Sequence, residues 1–374
     1  MRVRIIGMTT DVTTTGVGTI RSGFLGGGFM AHVHSRAARA AGASTAVLAS
    51  SSPERAQAAA HDLGIDRAAA DITELLAEDI DIVHVCTPNA THAALAMAVI
   101  DAGIHVICEK PLATTVDDAR ALALAAQERG LVAAVPFVYR YHPMVREARA
   151  RVAAGEIGDL LTVDCGYLQD WMLLPDDDDW RVTSADGGPS RAFADIGSHL
   201  CDLLEFVAGE RIVRLTARTR RVYDERGGRP VTNEDAVAIL VEMASGAIGT
   251  LLVSQMSAGR KNALTLELHG AQASLRFDQE RPEELWVGQR DGSRHLFRDP
   301  LTAHPGIARY SRVPAGHAQG YQDAFNGFVA DAYAAVRGEE PEGLPTFADG
   351  VRAAQLTEAV LQAAADQRWI DTPI

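Results

Sequence analysis

From about Thr19 to Val135 the chain alternates short apolar runs with alanine-rich stretches that carry helix punctuation. The apolar runs span residues 20–25, 45–49, 80–86, 104–108 and 131–135. Between the last two, Thr114-Thr115-Val116-Asp117-Asp118 opens a helix that Gly130 closes. Strands separated by helices cannot pair as hairpins, so the alternation predicts a parallel, doubly wound sheet. After about Gly158 the pattern changes. Residues 160–171, 212–222, 235–243, 247–255, 263–270 and 273–277 read as consecutive strands, interrupted by one helix over 194–208. Helices over 321–337 and 347–367 close the chain. The expected fold class is α/β: an N-terminal Rossmann sheet plus a C-terminal α+β domain with a large, mostly antiparallel open sheet. Residues 2–7 look like a first strand, yet no glycine turn leads from them into a helix. Residues 1–18 are therefore set apart as an extension, either an added edge strand or a disordered stretch. A dinucleotide-binding domain is expected over 19–140, and a substrate-binding and oligomerisation domain over 141–374.

The strand at 104–108 ends in Glu109-Lys110-Pro111. Charged groups at the end of a core strand are costly unless paired. In an open α/β sheet that end is where ligands bind, so Lys110 is a candidate for catalysis. The first strand runs into Gly26-Gly27-Gly28-Phe29-Met30-Ala31. Gly26 permits a tight turn, Gly28 lets the backbone approach a pyrophosphate, and Ala31 lets helix and strand pack closely. Phe29 and Met30 open the helix whose N-terminus faces the phosphates. At the tip of the second strand an acid for the ribose hydroxyls is missing; Ser50, Ser51, Ser52 and Arg55 stand there instead. Those groups accommodate a 2′-phosphate and favour NADP over NAD, although a serine helix cap followed by Pro53 accounts for them as well. Thr87, Pro88 and Asn89 would lie beside a nicotinamide, with His92 following; Asn89 reads equally as a helix cap and His92 as a packed helix residue. Asp195 and His199, at i and i+4, share a helix face and converge on Lys110 as a proton relay, or else form a surface ion pair.

The net charge of −14 argues against nucleic-acid and anionic-membrane partners. The four cysteines show no metal-ligand spacing, so no metal is expected, and two of them sit in apolar strands as small hydrophobes. With no run of 18 apolar residues and no signal-peptide core, a cytoplasmic protein is expected.

Glu109-Lys110-Pro111, the glycine turn, Thr87-Pro88-Asn89 and the Asp195…His199 helix together resemble the Gfo/Idh/MocA (glucose–fructose oxidoreductase/inositol dehydrogenase) family, from about residue 19 to the C-terminus. Within it, Tyr167-Leu168-Gln169-Asp170-Trp171 and Gly259-Arg260-Lys261-Asn262 are most similar to the levoglucosan dehydrogenase-like sugar dehydrogenases. The resemblance implies a dinucleotide on the first sheet and a polyol in the cleft facing the second. It makes Lys110 the catalytic lysine and Asp195 and His199 the site acid and histidine. The chain departs from the pattern in lacking the acid at the second strand tip, in carrying Val138 where an asparagine is frequent, and in its extension.

Strand alternation puts Cys165, Tyr167, Gln169 and Trp171 on one face. With Tyr139-Arg140 and Trp180-Arg181 they form a candidate polyol pocket, or, for Tyr167 and Trp171, simply core aromatics. Substrate contacts are expected from Tyr139, Gln169, Trp171, Arg181, Asp195 and His199, and His317 is a further candidate. The expected reaction is NAD(P)-dependent hydride transfer from a secondary alcohol of a sugar, anhydrosugar or cyclitol. His199 acts as general base oriented by Asp195, Lys110 holds the reacting oxygen, and Glu109 positions Lys110; Lys110 and His199 can exchange roles. Two other classes stay open: a dehydratase, epimerase or glycosidase that oxidises transiently with tightly held NAD, and a nucleotide-sensing binding protein. A homo-dimer or homo-tetramer through the C-terminal sheet is expected.

Overall fold

The apolar runs of the first 140 residues are buried on both faces, which is the environment of a parallel sheet covered by helices on each side. In the computed structural model, which describes residues 18–301, 303 and 305–373, these runs form β1 (Arg21–Leu25), β2 (Ser44–Ala49), β3 (Arg67–Ala68), β4 (Ile82–Val85), β5 (His105–Cys108) and β6 (Ala133–Ala134). All pairings are parallel, in the order β3-β2-β1-β4-β5-β6. The winding reverses between β1 and β4, which opens a crevice at their carboxyl ends. Helices α1 (Phe29–Ala40), α2 (Pro53–Leu63), α3 (Ile72–Leu76), α4 (His92–Asp101) and α5 (Val116–Glu128) cover the sheet. Local chemistry sets their ends: Ser52 accepts from the Arg55 amide with Pro53 behind it, Thr115 accepts from the Asp118 amide, and Gly64 stops α2 at φ +61°. The short β3 was not evident in the sequence. The extension expected over 1–18 lies, but for Gly18, outside the described residues.

After α6 (Pro143–Ala153) the chain builds a second sheet from β7 (Leu160–Leu168) and β8 (Ile212–Arg220), then adds a two-stranded ribbon of β9 (Glu225–Arg226) and β10 (Arg229–Pro230). The sheet continues with β11 (Ala236–Met243), β12 (Ile248–Ser254), β13 (Ala263–Gly270), β14 (Ser274–Asp278), β15 (Glu284–Gln289), β16 (Gly292–Phe297) and β17 (Ile370–Asp371). Its nine strands lie in the order β16-β15-β14-β13-β7-β12-β11-β8-β17, and only β7 with β12 is parallel. Apolar side chains alternate along β11 into the inner face of the sheet, over which α6 packs on β14 and β15, and α8 (Ser198–Ala208), which follows the one-turn α7 (Ser184–Gly187), packs on β7 and β13. The sequence missed β15, β16 and β17.

Two expectations need correction. The strand expected over 160–171 stops at Leu168, because Asp170 turns the chain: its carbonyl accepts from the Leu173 amide and its carboxylate from the Gly259 amide. The helix expected over 194–208 begins instead as a wide π-turn over Phe193–Gly197.

After the single-turn α9 (Pro305–Ala308), α10 (Tyr321–Val336) returns to pack on α1, bringing Phe325, Phe328 and Tyr333 into the core of the first sheet. Finally α11 (Phe347–Asp366) runs against both α5 and α8. The two sheets are thus joined by shared helices. Among the described residues no helix is long and apolar enough to cross a membrane.

The glycine turn separates two requirements. Gly26 has φ +97°, and a Cβ there would stand 2.6 Å from the Cys86 carbonyl oxygen, whereas a Cβ on Gly28 meets nothing within 4 Å. Thermal unfolding should therefore show Gly26→Ala destabilised by about 1–3 kcal/mol and Gly28→Ala near the native value. Equal Tm values for the two variants would contradict this geometry.

Candidate active site

Where the carboxyl ends of β1, β4 and β5 face the second sheet there is a cleft of about 390 Å³, within the range of small-molecule sites. Phe29, Met30, Thr87, Asn89, Glu109 and Lys110 line it from one side, and Tyr139, Gln169, Arg181, Asp195 and His199 from the other. A larger groove of about 800 Å³ runs behind Pro111 between the 187–190 loop and α11. Its lining holds one exposed ion pair within a turn of α5, Asp117 with Arg120 at 3.5 Å, whereas the buried pair of Lys110 with Asp195 lies in the smaller cleft.

Lys110 is the centre of that cleft. Its Nζ donates to Asp195 Oδ1 at 2.7 Å and to the Asp195 carbonyl at 3.0 Å. An ammonium has three donors, so one is left to face the cleft. Asp195 Oδ2 accepts from Gln255 Nε2 at 2.9 Å, and Arg181 Nε stands 3.8 Å from Oδ1. Burial alone would raise this carboxyl, but Lys110 and then Arg181 outweigh it and bring Asp195 down to about 2. The π-turn gives Asp195 this aim. Glu234 anchors its start, with Oε1 accepting from Ser190 Oγ and from the Arg191 and Phe193 amides. Gly197 is required within the turn, since a Cβ there would lie 2.4 Å from the Phe193 ring. π-Turns of this kind recur at functional sites.

His199 follows on α8. Asp195 and His199 both line the cleft, but neither a hydrogen bond nor an ion pair joins them, so Asp195 does not orient the imidazole directly. His199 is held by ring contacts instead, edge-on to Phe137 at 5.6 Å and to Tyr139 at 5.1 Å, and its Nδ1 is buried without a partner. Burial and then the Lys110 ammonium push it down to about 3, so it is a neutral imidazole. Glu109 accepts the Lys110 amide N–H on Oε2 at 3.1 Å and faces His34 Nε2 with Oε1 at 2.9 Å. It therefore touches the lysine's main chain, while the ammonium is taken by Asp195.

The remaining expected residues divide. Thr87 and Asn89 line the cleft; Asn89 is no helix cap, its Nδ2 donating to the Gly187 carbonyl at 3.1 Å, and Pro88 precedes a 3-10 turn. His92 is fully buried, with ring nitrogens 2.7 Å from the Pro111 and 2.8 Å from the Thr87 carbonyls, tying the tips of β4 and β5 together. Ser50, Ser51 and Arg55 stand at the tip of β2 away from the cleft, with Arg55 donating to Ser51 Oγ at 3.0 Å. Gln169 lines the cleft, but Trp171 stands outside it, half exposed beyond the end of β7, and donates to Gln169 Oε1 at 2.8 Å. Arg140 turns away to pair with Asp202 and Asp349. His317 is exposed and outside the lining. Trp180, expected in the polyol pocket, lines the cleft, and so do Tyr321, Lys261 and Asn262, which sequence reasoning did not select as site residues. Asn262 closes a ring with Tyr139 and Tyr167: Tyr167 OH donates to its Oδ1 at 2.6 Å and its Nδ2 donates to Tyr139 OH at 3.3 Å. The motif Gly259-Arg260-Lys261-Asn262 was the signal available for two of them.

The β1–α1 turn fits a dinucleotide. Helix α1 starts at Gly28 with no side-chain cap and no acid in its first turn, and the space a Cβ would fill there is open. A helix N-terminus of this kind receives a phosphate.

Comparisons with known proteins agree with this arrangement. Residues 20–137 match the model of an oxidoreductase family with an NAD-binding Rossmann fold, and residues 145–276 match the GFO/IDH/MocA C-terminal domain. Levoglucosan dehydrogenase of Pseudarthrobacter phenanthrenivorans is 33% identical over 385 residues, covering 94% of this chain and 97% of that protein. A levoglucosan dehydrogenase solved with NADH and levoglucosan superposes with TM-score 0.89 at 32% identity, over 96% of this chain and all of that one. An inositol dehydrogenase homolog from Azotobacter vinelandii, solved with NADH and myo-inositol, superposes with TM-score 0.84 at 28% identity, over 95% and 98% of the two chains.

The depressed histidines fix a pH dependence of stability. His199 is held near 3 and His142 near 4, both chiefly by burial, against 6.5 in the free side chain. Below about pH 6.5 the unfolded chain binds protons that the native one refuses, so stability falls as pH drops toward 4. Asp195 acts lower: its contribution is present above its free value of 3.8 and is lost as pH falls through about 2. Tm should decline between about pH 7 and pH 5, and less steeply in His142→Phe. A Tm flat over that range would contradict the burial of neutral imidazoles.

Proposed function

The chain belongs to the Gfo/Idh/MocA oxidoreductase family, and we propose that it transfers a hydride between a secondary alcohol of a sugar, anhydrosugar or cyclitol and the nicotinamide of NAD(P). The observation that carries this reading is the Lys110–Asp195 pair beside the neutral His199, in the crevice reached from the glycine turn. Residues 19–140 would hold the dinucleotide and 141–374 the substrate. Gly26, Gly28, Phe29 and Met30 would take the pyrophosphate side, and Thr87, Asn89 and Glu109 the nicotinamide side, with Pro88 and His92 shaping that wall. When bound, the nicotinamide supplies the acceptor for the hydride.

The chain's own groups do the rest. The free N–H of the Lys110 ammonium points a fixed positive charge at the reacting oxygen and stabilises negative charge as it develops there. Asp195 holds that ammonium in place, and Gln255 and Arg181 hold Asp195. His199, kept unprotonated, accepts the hydroxyl proton on a ring nitrogen. Tyr139, Tyr167, Gln169 and Asn262 form a wall of hydroxyl and amide groups suited to a polyol, and Arg181 lies over Trp180 at 4.1 Å beside it. The relatives named for levoglucosan and inositol favour that substrate class.

Ser50, Ser51 and Arg55, with no acid at the tip of β2, favour NADP. Leu161, Leu240, Ile248 and Leu252 stand about half exposed on the outer face of the second sheet, which favours a homo-oligomer joined there. Four free, buried cysteines fit a reducing cytoplasm.

Absorbance at 340 nm, with NAD or NADP in turn against a panel of sugars, anhydrosugars and inositols, tests the reading. Signal growth with a polyol is expected. In Lys110→Ala turnover should fall by about 10³-fold or more with cofactor affinity nearly intact. Native turnover retained in that variant would remove Lys110 from its role.

A further inference from the structure

Glu109 ends a chain of buried polar groups that no step above uses. Its Oε1 lies 2.9 Å from His34 Nε2, and His34 Nδ1 lies 2.9 Å from His84 Nδ1. His84 Nε2 is 2.8 Å from Tyr333 OH, which is 2.8 Å from Ser22 Oγ. The links come from α1, β4, α10 and β1. Ser22, His34, His84 and Tyr333 are completely buried and Glu109 is nearly so. Phe24 stacks on His84 at 4.9 Å, and Phe325 lies 5.0 Å from His34. A polar chain in an apolar core is costly unless every member is bonded, and here every member is.

The chain has a direction. A carboxylate only accepts, so His34 Nε2 donates to Glu109. Two Nδ1 atoms face each other, so one carries the proton and the other accepts it. Burial holds His84 neutral. Each proton arrangement that satisfies these conditions ends on Glu109 as an acceptor. The other carboxylate oxygen accepts the Lys110 amide N–H.

We propose that His34, backed by His84 and Tyr333, is a positioning residue for the hydride-transfer site. It keeps Glu109 an oriented carboxylate, and Glu109 fixes the main chain of Lys110 so that the ammonium faces Asp195 and the reacting oxygen. The inference rests on the function proposed above. The groups facing Glu109 are His34 on α1, Lys110 beside it, His92 on α4, His199 on α8, Tyr321 on α10, and the thiols Cys86 and Cys108 at the strand ends. Of these, His34 alone gives the Glu109 side chain a hydrogen bond from another side chain. Burial pushes the Glu109 carboxyl up, and the His34 bond is the largest of the contributions that hold it below its ordinary value. Without His34 the largest contribution opposing burial is gone, so the carboxyl rises and the ionised form is lost at a higher pH than in the native protein.

The test is the pH profile of kcat for the full-length enzyme, with its cofactor and the polyol the panel identifies, in His34→Leu, His34→Gln and Tyr333→Phe. His34→Leu should move the acid limb up by about one pH unit or more. His34→Gln, whose amide can donate to Glu109 and accept from His84, should restore the native profile. Tyr333→Phe, which keeps the ring, should shift the limb in the same direction by less. A uniform loss at every pH, or no restoration by Gln in a variant of native Tm, would overturn the proposal. If the native enzyme oxidises no polyol, the functional reading falls, and an infrared titration without substrate decides this inference separately. The carboxyl band that Glu109→Gln removes should appear at higher pH in His34→Leu than in the native protein; an unmoved band overturns it. Should His34→Leu fail to fold, the same two measurements on Tyr333→Phe decide the matter.

Discussion

An ammonium and a carboxylate 2.7 Å apart, each largely withdrawn from water, join the two sheets of this protein. Removing either charge from solvent is costly, and the cost is offset only when the partner is fixed and its remaining bonds are filled. The fold meets both conditions. Lys110 leaves the end of β5 with its amide anchored on Glu109, and Asp195 arrives on a π-turn whose first amides are capped by Glu234. Gln255 and Arg181 take up the acid's remaining directions. Loss of either partner would leave the other charge uncompensated between the sheets and a cleft without its electrostatic centre.

The same pair sets the protonation states around it. Burial and the Lys110 ammonium hold His199 neutral, while that ammonium keeps Asp195 ionised against burial. Groups pushed apart in this way can divide labour, one carrying fixed charge and the other receiving a proton. The glycine turn and the uncapped start of α1 lie at the other end of the crevice. In the proposed function the cofactor and polyol sites are therefore contributed by different sheets, with Lys110 where they would meet.

Much of this was legible in the sequence because it is local. Gly26, Gly28 and Ala31 follow a strand and open a helix, Lys110 ends an apolar run, and Asp195 and His199 are one helical turn apart. The π-turn was not legible: a helix with one wide turn has the same apolar spacing as an ordinary one, and only Gly197 packed under Phe193 marks it. Trp171 was placed in the cleft by extending strand alternation past Leu168, where the side chain and carbonyl of Asp170 turn the chain instead. Asn262 reaches the cleft from just before β13, where the motif Gly259-Arg260-Lys261-Asn262 points to it, but Tyr321 reaches it from α10 and nothing in its neighbourhood announces it. The same holds for the buried line from Ser22 to Glu109, whose members look like isolated polar residues in apolar strands and helices.

The most direct test is to oxidise a polyol carrying deuterium at the reacting carbon and to locate the label. Hydride transfer across the Lys110–His199 cleft predicts deuterium at C4 of the reduced nicotinamide, a turnover slowed by the substitution, and no label in water. Deuterium released to solvent, or product formed with none on the nicotinamide, would contradict it.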